Sequence, residues 1–364
     1  MKRDKIRALC LPTELIIQIL LRLPVKSLVR CKCVSKFWFS LISDPHSAKS
    51  HFELVPTRTQ RLLLQQDLVP VFRSIDLNAS LHDDSASFEI NLNFSYPHII
   101  GSCRGLALSN SFRTLLVWNP CTGFRKQFSA SPLESRLDDL FFTFLYGFGY
   151  DSSTDDYLVV QASRDPSSRS ARVEVFSLRD DAWKEIEGIH YINSIDLPRY
   201  GSLLNGAIHW LAFREDVWMN VIVAFDLMER SFSEIPLPAV DLEEFQSFDF
   251  ELRVLGDSLC LCISHLGFGW PAGIWVMKEY KVQSSWTFQT IDIPVDTYPN
   301  KSFYAICSTK CGDIVGTDGS SGLVKFNNEG QLLEYRSYAD DDRRYESEVV
   351  VYTESLLSPP SNND

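Results

Sequence analysis

LPTELIIQILLRLPV, residues 11–25, is the stretch that decides how this 364-residue chain is read. Pro12 suits a first helical position, where its missing N–H costs nothing, and Glu14 is favourable in the first turn. Leu15, Ile19, Leu20 and Leu23 recur at helical spacing, and Pro24 disfavours helix at the residue before it. A second short helical stretch runs from Val25 to Lys32, with Val25 and Leu28 as its apolar residues. Ser35 can cap a third, whose Phe37, Trp38, Leu41 and Ile42 fall on one face, and Asp44-Pro45 closes it. Three such short helices bury too little surface to stand alone. Either they cap a larger body, or they form a docking module whose apolar stripe a partner completes.

The wording of residues 11–52, LPTELIIQILLRLPVKSLVRCKCVSKFWFSLISDPHSAKSHF, favours the second reading. It closely resembles the F-box of plant F-box proteins, whose pattern runs L-P-x-E-L, I-L, L-P-V-K-S-L, C-V-S-K-x-W and L-I-S-D-P. The resemblance implies a helical motif that binds the Skp-type linker subunit of SCF (Skp–cullin–F-box) ubiquitin ligases, and through it the cullin. Carried over residue by residue, the implied contact comprises Leu11, Pro12, Leu15, Ile19, Leu20, Leu23, Pro24, Val25, Leu28, Val34 and Trp38.

Composition fits an ordinary globular protein, with 45% hydrophobic and 23% charged residues. No apolar run approaches the ~18 residues that span a bilayer. Glu14 and Gln18 interrupt the N-terminal apolar stretch, against a secretory signal. The expected location is therefore cytoplasm or nucleus. Nine cysteines, an odd number, point to reduced thiols. Cys260 and Cys262 share one face of a strand and read as small core residues. Cys307 and Cys311 lack a second ligand pair, so no zinc site is expected. Residues 1–50 hold ten Lys/Arg against three Asp/Glu, net +7, which leaves −19 on the remainder of a chain whose total is −12. The basic residues surround an apolar helical stripe and form no block. An acidic protein partner fits that arrangement better than nucleic acid.

After a connector at 53–61 the character changes. Short Val/Ile/Leu/Phe/Tyr runs alternate with Gly, Asn, Asp, Ser and Pro clusters. One phrase recurs: strand, polar turn, large apolar residue, second strand. It is seen at Leu115–Phe124, Val173–Trp183 and Val221–Phe232, and more weakly at Ile274–Trp286 and Leu323–Leu333. The markers Phe176, Phe225, Tyr280 and Phe326 are spaced by 49, 55 and 46 residues, near the ~50-residue period of kelch-type propeller blades. Asn205-Gly206 is a strong hairpin signal within LNGAIHWLA. The phrases GSCRGLALS, VWNPCTG, YGFGYDSSTDDYLVV, LNGAIHWLA, FSEIPLP and WTFQTIDIP resemble the F-box-associated domain of the same family. No Gly-Gly pair occurs, a departure from strict kelch repeats.

No catalytic constellation is found. Gly256-Asp257-Ser258-Leu259 spells a hydrolase block, but no histidine follows His265 to act as its base. The acidic pairs Asp138-Asp139, Asp155-Asp156 and Asp180-Asp181, and the run Asp340–Asp342, read as solvated turns rather than calcium or glycosidase sites.

The expectation is thus a mainly β protein, a propeller-like array of antiparallel sheets with an N-terminal three-helix F-box. Its parts are an F-box at 1–52, the connector, a β domain for target recognition at 62–353, and a disordered tail at 354–364. The implied role is a non-catalytic adaptor without metal or cofactor. It would bridge the Skp-type linker and an unknown target protein, and contact neither nucleic acid nor membrane. The alternative is a propeller glycan-binding protein or hydrolase with a helical cap. For the target surface, the aromatics of two loops stand out: Trp218, Phe268 and Trp270, set among charges or glycines.

Overall fold

The computed structural model describes residues 12–55, 58–66, 70–95, 97–131, 144–164, 171–189, 200–214, 219–239, 248–265, 272–291, 303–318, 322–338 and 347–359. Four helices lead: α1 (Thr13–Leu20), α2 (Val25–Cys31), α3 (Lys36–Ser43) and α4 (Pro45–Leu54). The three expected helices are present, with Ser35 Oγ accepting from Trp38 N at 3.2 Å to cap α3. Pro12 and Pro24 each sit one residue earlier than a first helical position, as extended cap residues. Asp44-Pro45 ends α3 but also opens α4. The Asp44 carboxylate accepts from Ser47 N at 2.7 Å, and Pro45 occupies the first helical turn. That fourth helix takes up the start of the expected connector.

The described strands form six four-stranded antiparallel sheets, the blades of a propeller. Here β1 (Gln60–Gln66), β2 (Val71–Asp76) and β3 (Ser87–Asn91) belong to the closing blade. The next holds β4 (His98–Cys103), β5 (Leu106–Ser111), β6 (Thr114–Trp118) and β7 (Arg125–Ser129). It is followed by β8 (Phe144–Asp151), β9 (Asp156–Arg164), β10 (Ala171–Ser177) and β11 (Ala182–Ile189). Then come β12 (Ser202–Leu204), β13 (Ala207–Arg214), β14 (Met219–Asp226) and β15 (Phe232–Ile235). Two blades remain: β16 (Phe248–Leu255) to β19 (Trp286–Ile291), with β17 (Ser258–His265) and β18 (Ala272–Met277) between; and β20 (Tyr304–Ser308) to β23 (Leu332–Ser337), with β21 (Ile314–Thr317) and β22 (Gly322–Phe326) between.

The ring closes through the chain ends. The last strand, β24 (Ser347–Thr353), pairs antiparallel with β1, placing Val350 opposite Leu63 and Thr353 opposite Gln60. Innermost strands touch their neighbours all the way round, β24 against β4 included. In each blade the outer strand pairs on one side only, and the innermost strand turns its free edge toward the centre of the ring.

The core lies between blades. Six apolar clusters fill the six junctions. Middle strands are buried on both faces, and the two-residue period divides their side chains between junctions. Leu62 and Leu64 pack to one side of the closing blade, and Leu63 packs to the other. Cys260 and Cys262 share one junction, as their spacing implies, while Leu259 and Leu261 face the other.

The recurring phrase falls on the third strand and the turn toward the fourth in five of the six blades, and two of its markers form cross-strand ring pairs. Phe176 faces Trp183 with centroids 5.2 Å apart, and Phe225 faces Phe232 at 4.8 Å. Trp286 is 8% exposed and donates Nε1–H to Pro236 O at 2.9 Å. Trp183 and Phe232 lie on outer strands and are only half-buried. Tyr280 plays a different part: its hydroxyl donates to His209 Nε2 at 2.8 Å, while His209 Nδ1–H donates to Ser202 O at 3.0 Å.

Asn205 and Gly206, with φ of 51° and 75°, make the turn between β12 and β13 that their residue types call for. Gly256-Asp257 makes the turn between β16 and β17, which leaves Ser258 a strand residue. One acidic pair departs from the expected solvated turn. Asp156 is buried, bonded to the Ser177 hydroxyl and accepting from Arg179 N at 3.0 Å. Nearby Asp151 is also buried and takes the Arg230 guanidinium of the next blade at 2.8 Å. Residues 138–139 and 340–342 lie outside the described residues.

Trp286→Ala should cost about 3–5 kcal/mol by denaturant unfolding, and Trp183→Ala, half-buried, on the order of 2 kcal/mol. Burial holds the His209 imidazole down, at about 4 against 6.5. Because the folded value is depressed, its contribution is complete above pH 6.5 and is lost as pH falls toward 4. The loss should reach about 3 kcal/mol. His209→Gln should remove that slope while leaving the carboxylate-driven slope at lower pH.

Candidate functional site

The expected contact residues divide into two groups once folded. Leu20, Val25 and Leu28 are buried, and with Ile42, Ala48 and Phe52 they form the core of the helical unit. Leu23 and Trp38 are half-buried against that core. Pro12, Leu15, Ile19, Pro24 and Val34 are exposed instead. Leu15, Ile19 and Val34 are 51%, 48% and 65% accessible, and Phe37 and Phe39 join them. Phe37 therefore leaves the apolar face that spacing assigned it. Leu11 lies outside the described residues. The outward set is an apolar surface on an otherwise basic module, fit for a protein partner.

A further segment, not foreseen, completes the helical core. Leu356 and Leu357, each 7% exposed, pack among Leu20, Val25, Leu28 and Phe52. Glu354–Pro359 is therefore held in place rather than forming part of a disordered tail. Two buried leucines contribute about 1.5–3 kcal/mol each. Leu356 also lines an apolar cleft of about 280 Å³, measured out to solvent, together with Ile17, Leu21, Leu28 and Leu41.

Asn119, fully buried, holds this segment. Its amide nitrogen donates to Leu357 O at 2.8 Å, and to Ser355 O and Ser355 Oγ at 3.1 Å. Its amide oxygen accepts from Cys121 N at 2.7 Å and shapes the turn between β6 and β7. Gly105, at φ 81°, lets Ser355 approach: a Cβ there would lie 2.2 Å from Ser355 Oγ. Burial also pushes the Cys121 thiol to about 12, so it stays protonated beside the segment.

The helices are fastened to the propeller by charge and ring contacts. The Arg104 guanidinium lies 4.8 Å from the Phe52 ring centroid and 4.1 Å from that of Tyr150, with Glu53 at 3.7 Å. The Lys49 ammonium donates to Asp155 at 2.8 Å. Partial burial works against the Asp155 carboxylate, but Lys49 and the Tyr150 hydroxyl outweigh it and hold its pKa below the usual range. Burial and that same hydrogen bond push the Tyr150 phenol to about 12. Inside the module, His51 Nε2–H donates to Leu23 O at 2.8 Å.

All these propeller contacts come from turns joining first to second, or third to fourth, strands. They share one rim, so the second-to-third hairpins open on the other. There Phe112 is 76% exposed at the β5–β6 tip, with a left-handed φ of 51°, and Met219 begins β14 at 55%. Trp218, Phe268 and Trp270 lie outside the described residues. Neither Asn119 nor Arg104 was singled out from sequence, although both sit in quoted phrases, VWNPCTG and GSCRGLALS. Among the described residues no His, Cys, Asp and Glu cluster suited to a metal occurs.

Arg104→Ala should lower stability by about 1–3 kcal/mol, since it removes two partly desolvated ring contacts at once. Differential scanning calorimetry reads this, and Lys49→Ala, more exposed, should cost under about 1 kcal/mol.

Residues 56–358 match the family model of the F-box associated beta propeller domain, and residues 8–52 match an F-box-like model. The F-box protein CPR1 of Arabidopsis thaliana is 33% identical over 372 residues, which cover 94% of this chain and 87% of that protein. An F-box/kelch-repeat protein of the same plant is 30% identical, covering 96% of each. Among solved structures, TolB from Acinetobacter baumannii aligns over 84% of this chain and 70% of its own, at 10% identity and a TM-score of 0.46. That likeness is too distant to bear on function. With four helices carrying an F-box and six blades behind them, the chain belongs to the plant F-box proteins that bear an F-box-associated β-propeller domain.

Proposed function

We propose that this protein is the substrate-recognition subunit of an SCF ubiquitin ligase in the cytoplasm or nucleus. Its F-box would engage a Skp-type linker, and through it the cullin, while the propeller holds a target protein for ubiquitination and proteasomal degradation. The observation that carries the reading is the outward apolar set Leu15, Ile19, Val34, Phe37 and Phe39. The four short helices leave these side chains in water while Leu356 and Leu357 help to fill the core behind them. Family membership supports the same reading, since F-box proteins are typically non-catalytic adaptors. The mechanism is proximity: a target bound by the propeller experiences a raised effective concentration of the ubiquitin-charged enzyme.

For the target we assign the rim opposite the helices, which carries Phe112 and Met219. In sequence Trp218 lies between β13 and β14, and Phe268 and Trp270 lie between β17 and β18. The acidic excess of the β domain favours a basic target segment.

Leu15→Asp with Ile19→Asp should weaken binding of a purified Skp-type linker at least a hundredfold by calorimetric titration, with an unchanged melting temperature. Leu28→Asp should instead melt the helical unit, because it buries a charge in its core. Undiminished linker binding by the Leu15/Ile19 double variant would move the contact away from these residues, and a wild-type chain that binds no Skp-type linker would defeat the adaptor reading.

A further inference from the structure

Lysine and arginine are distributed differently over the propeller. Among the described residues, Lys278, Lys281 and Lys310 stand in the β18–β19 and β20–β21 turns, on the rim that carries the helices. Lys126, Lys184 and Lys325 lie close to that rim too, near the ends of β7, β11 and β22. Arginine is not so confined. Arg104, Arg125, Arg179 and Arg230 belong to the helix-side rim, whereas Arg113, Arg172, Arg214 and Arg336 stand at or next to the opposite one. Arg113 is exposed at the β5–β6 tip, and Arg172 and Arg214 pair with Glu185 at 2.8 Å and Glu234 at 2.9 Å. Positive charge is thus present on the opposite rim, among the described residues always as a guanidinium. Arg113 makes no ion pair with a described residue, so no bidentate geometry demands a guanidinium there. Lys301, between β19 and β20 in sequence, lies outside the described residues. A six-residue strand such as β5 holds the two rims about 20 Å apart.

We propose that the rim opposite the helices lies within reach of the ubiquitin-charged enzyme, and that its arginines hold charge there without offering an acceptor amine. The inference rests on the adaptor reading. Ubiquitin transfer needs a free amine. A lysine ammonium gives up one proton to solvent, and its nitrogen attacks the thioester carbonyl that joins ubiquitin to a cysteine of the enzyme. The C–N bond forms, the C–S bond breaks, and the departing thiolate takes the second proton. With a pKa above about 12 a guanidinium stays protonated and cannot follow that course. An amine fixed on the target rim would meet the thioester at the same raised effective concentration as a bound target, and would divert ubiquitin to the adaptor itself. Lysines on the helix-side rim stand a blade's height further away, beside the linker rather than the charged enzyme.

The test is ubiquitin transfer in a ligase assembled from the full-length chain, a purified Skp-type linker and a cullin core loaded with the ubiquitin-charged enzyme, with no target added. Every chain carries Lys301→Arg, so that only described positions are compared. Arg113→Lys and Arg214→Lys are made singly on that background, and Lys278, Lys281 and Lys310, all exposed, serve as controls within the same molecule. Modified sites are read by mass spectrometry, and calorimetry checks that the melting temperature is unchanged. The amine introduced at position 113 should take ubiquitin at least tenfold faster than any of the three controls, and so should the one at position 214. Transfer no faster at the introduced amines than at the controls, with linker binding intact, would overturn the inference. So would a parent chain that is already modified rapidly at the controls. Should Arg113→Lys lower the melting temperature, Arg214→Lys decides by the same ratio. A chain that recruits no linker gives no transfer at any site, which sinks the adaptor reading and this inference with it.

Discussion

The antiparallel pairing of β24 with β1 is the constraint on which the rest of this molecule depends. Each blade buries its faces against its neighbours, so an open array would expose the two apolar faces of its terminal blades. Joining residues 347–353 to residues 60–66 removes both faces at once. The clusters on either side of the closing blade, around Leu62 and Leu64 on one hand and Leu63 and Phe72 on the other, exist only because the chain ends meet there. A pairing of such long sequence separation carries a large loop-closure cost, and the paired strands and two junctions must outweigh it.

Closure also fixes where the helices can sit. The chain leaves β24 at the rim where α4 leads toward β1, so both flanks of the ring seam run to the helical unit. Arg104, from the β4–β5 turn, bridges Phe52 of α4 and Tyr150 of the next blade. Lys49 reaches Asp155 on that same blade. These contacts span two blades, and a unit held at two points cannot swing about one. Under the proposed adaptor role, such a fixed frame would confine a held target to a defined region relative to the linker, which a flexible tether would not do.

Charge is placed in keeping with this frame. Buried carboxylates are matched: Asp151 by Arg230 and by hydroxyls, Asp156 by Ser177 and a backbone amide. Asp151 meets its arginine across a blade junction and Asp156 is matched within its own blade, and at either place an unmatched buried carboxylate would oppose packing. His209 follows the same rule as a neutral ring between a carbonyl and a phenol.

Much of this was legible in the sequence. The proline-bounded apolar periodicity of residues 11–43, the Ser35 cap, the Asn205-Gly206 turn and the ~50-residue aromatic recurrence all report local geometry. A local signal survives in the chain because neighbours in sequence remain neighbours in space. Tertiary structure alone decided the number of blades, the closure through β24, and the sorting of the helical leucines. Leu15 and Leu28 are alike in sequence, yet one faces solvent and the other lies in a core that Leu356 and Leu357 enter from more than three hundred residues away. The same holds for Asn119, whose partners lie near residue 357, and for the SLL of the chain end, which reads as a tail until a cavity is found for it. Contacts of such long range leave no periodicity behind, because only the closed ring brings their partners together.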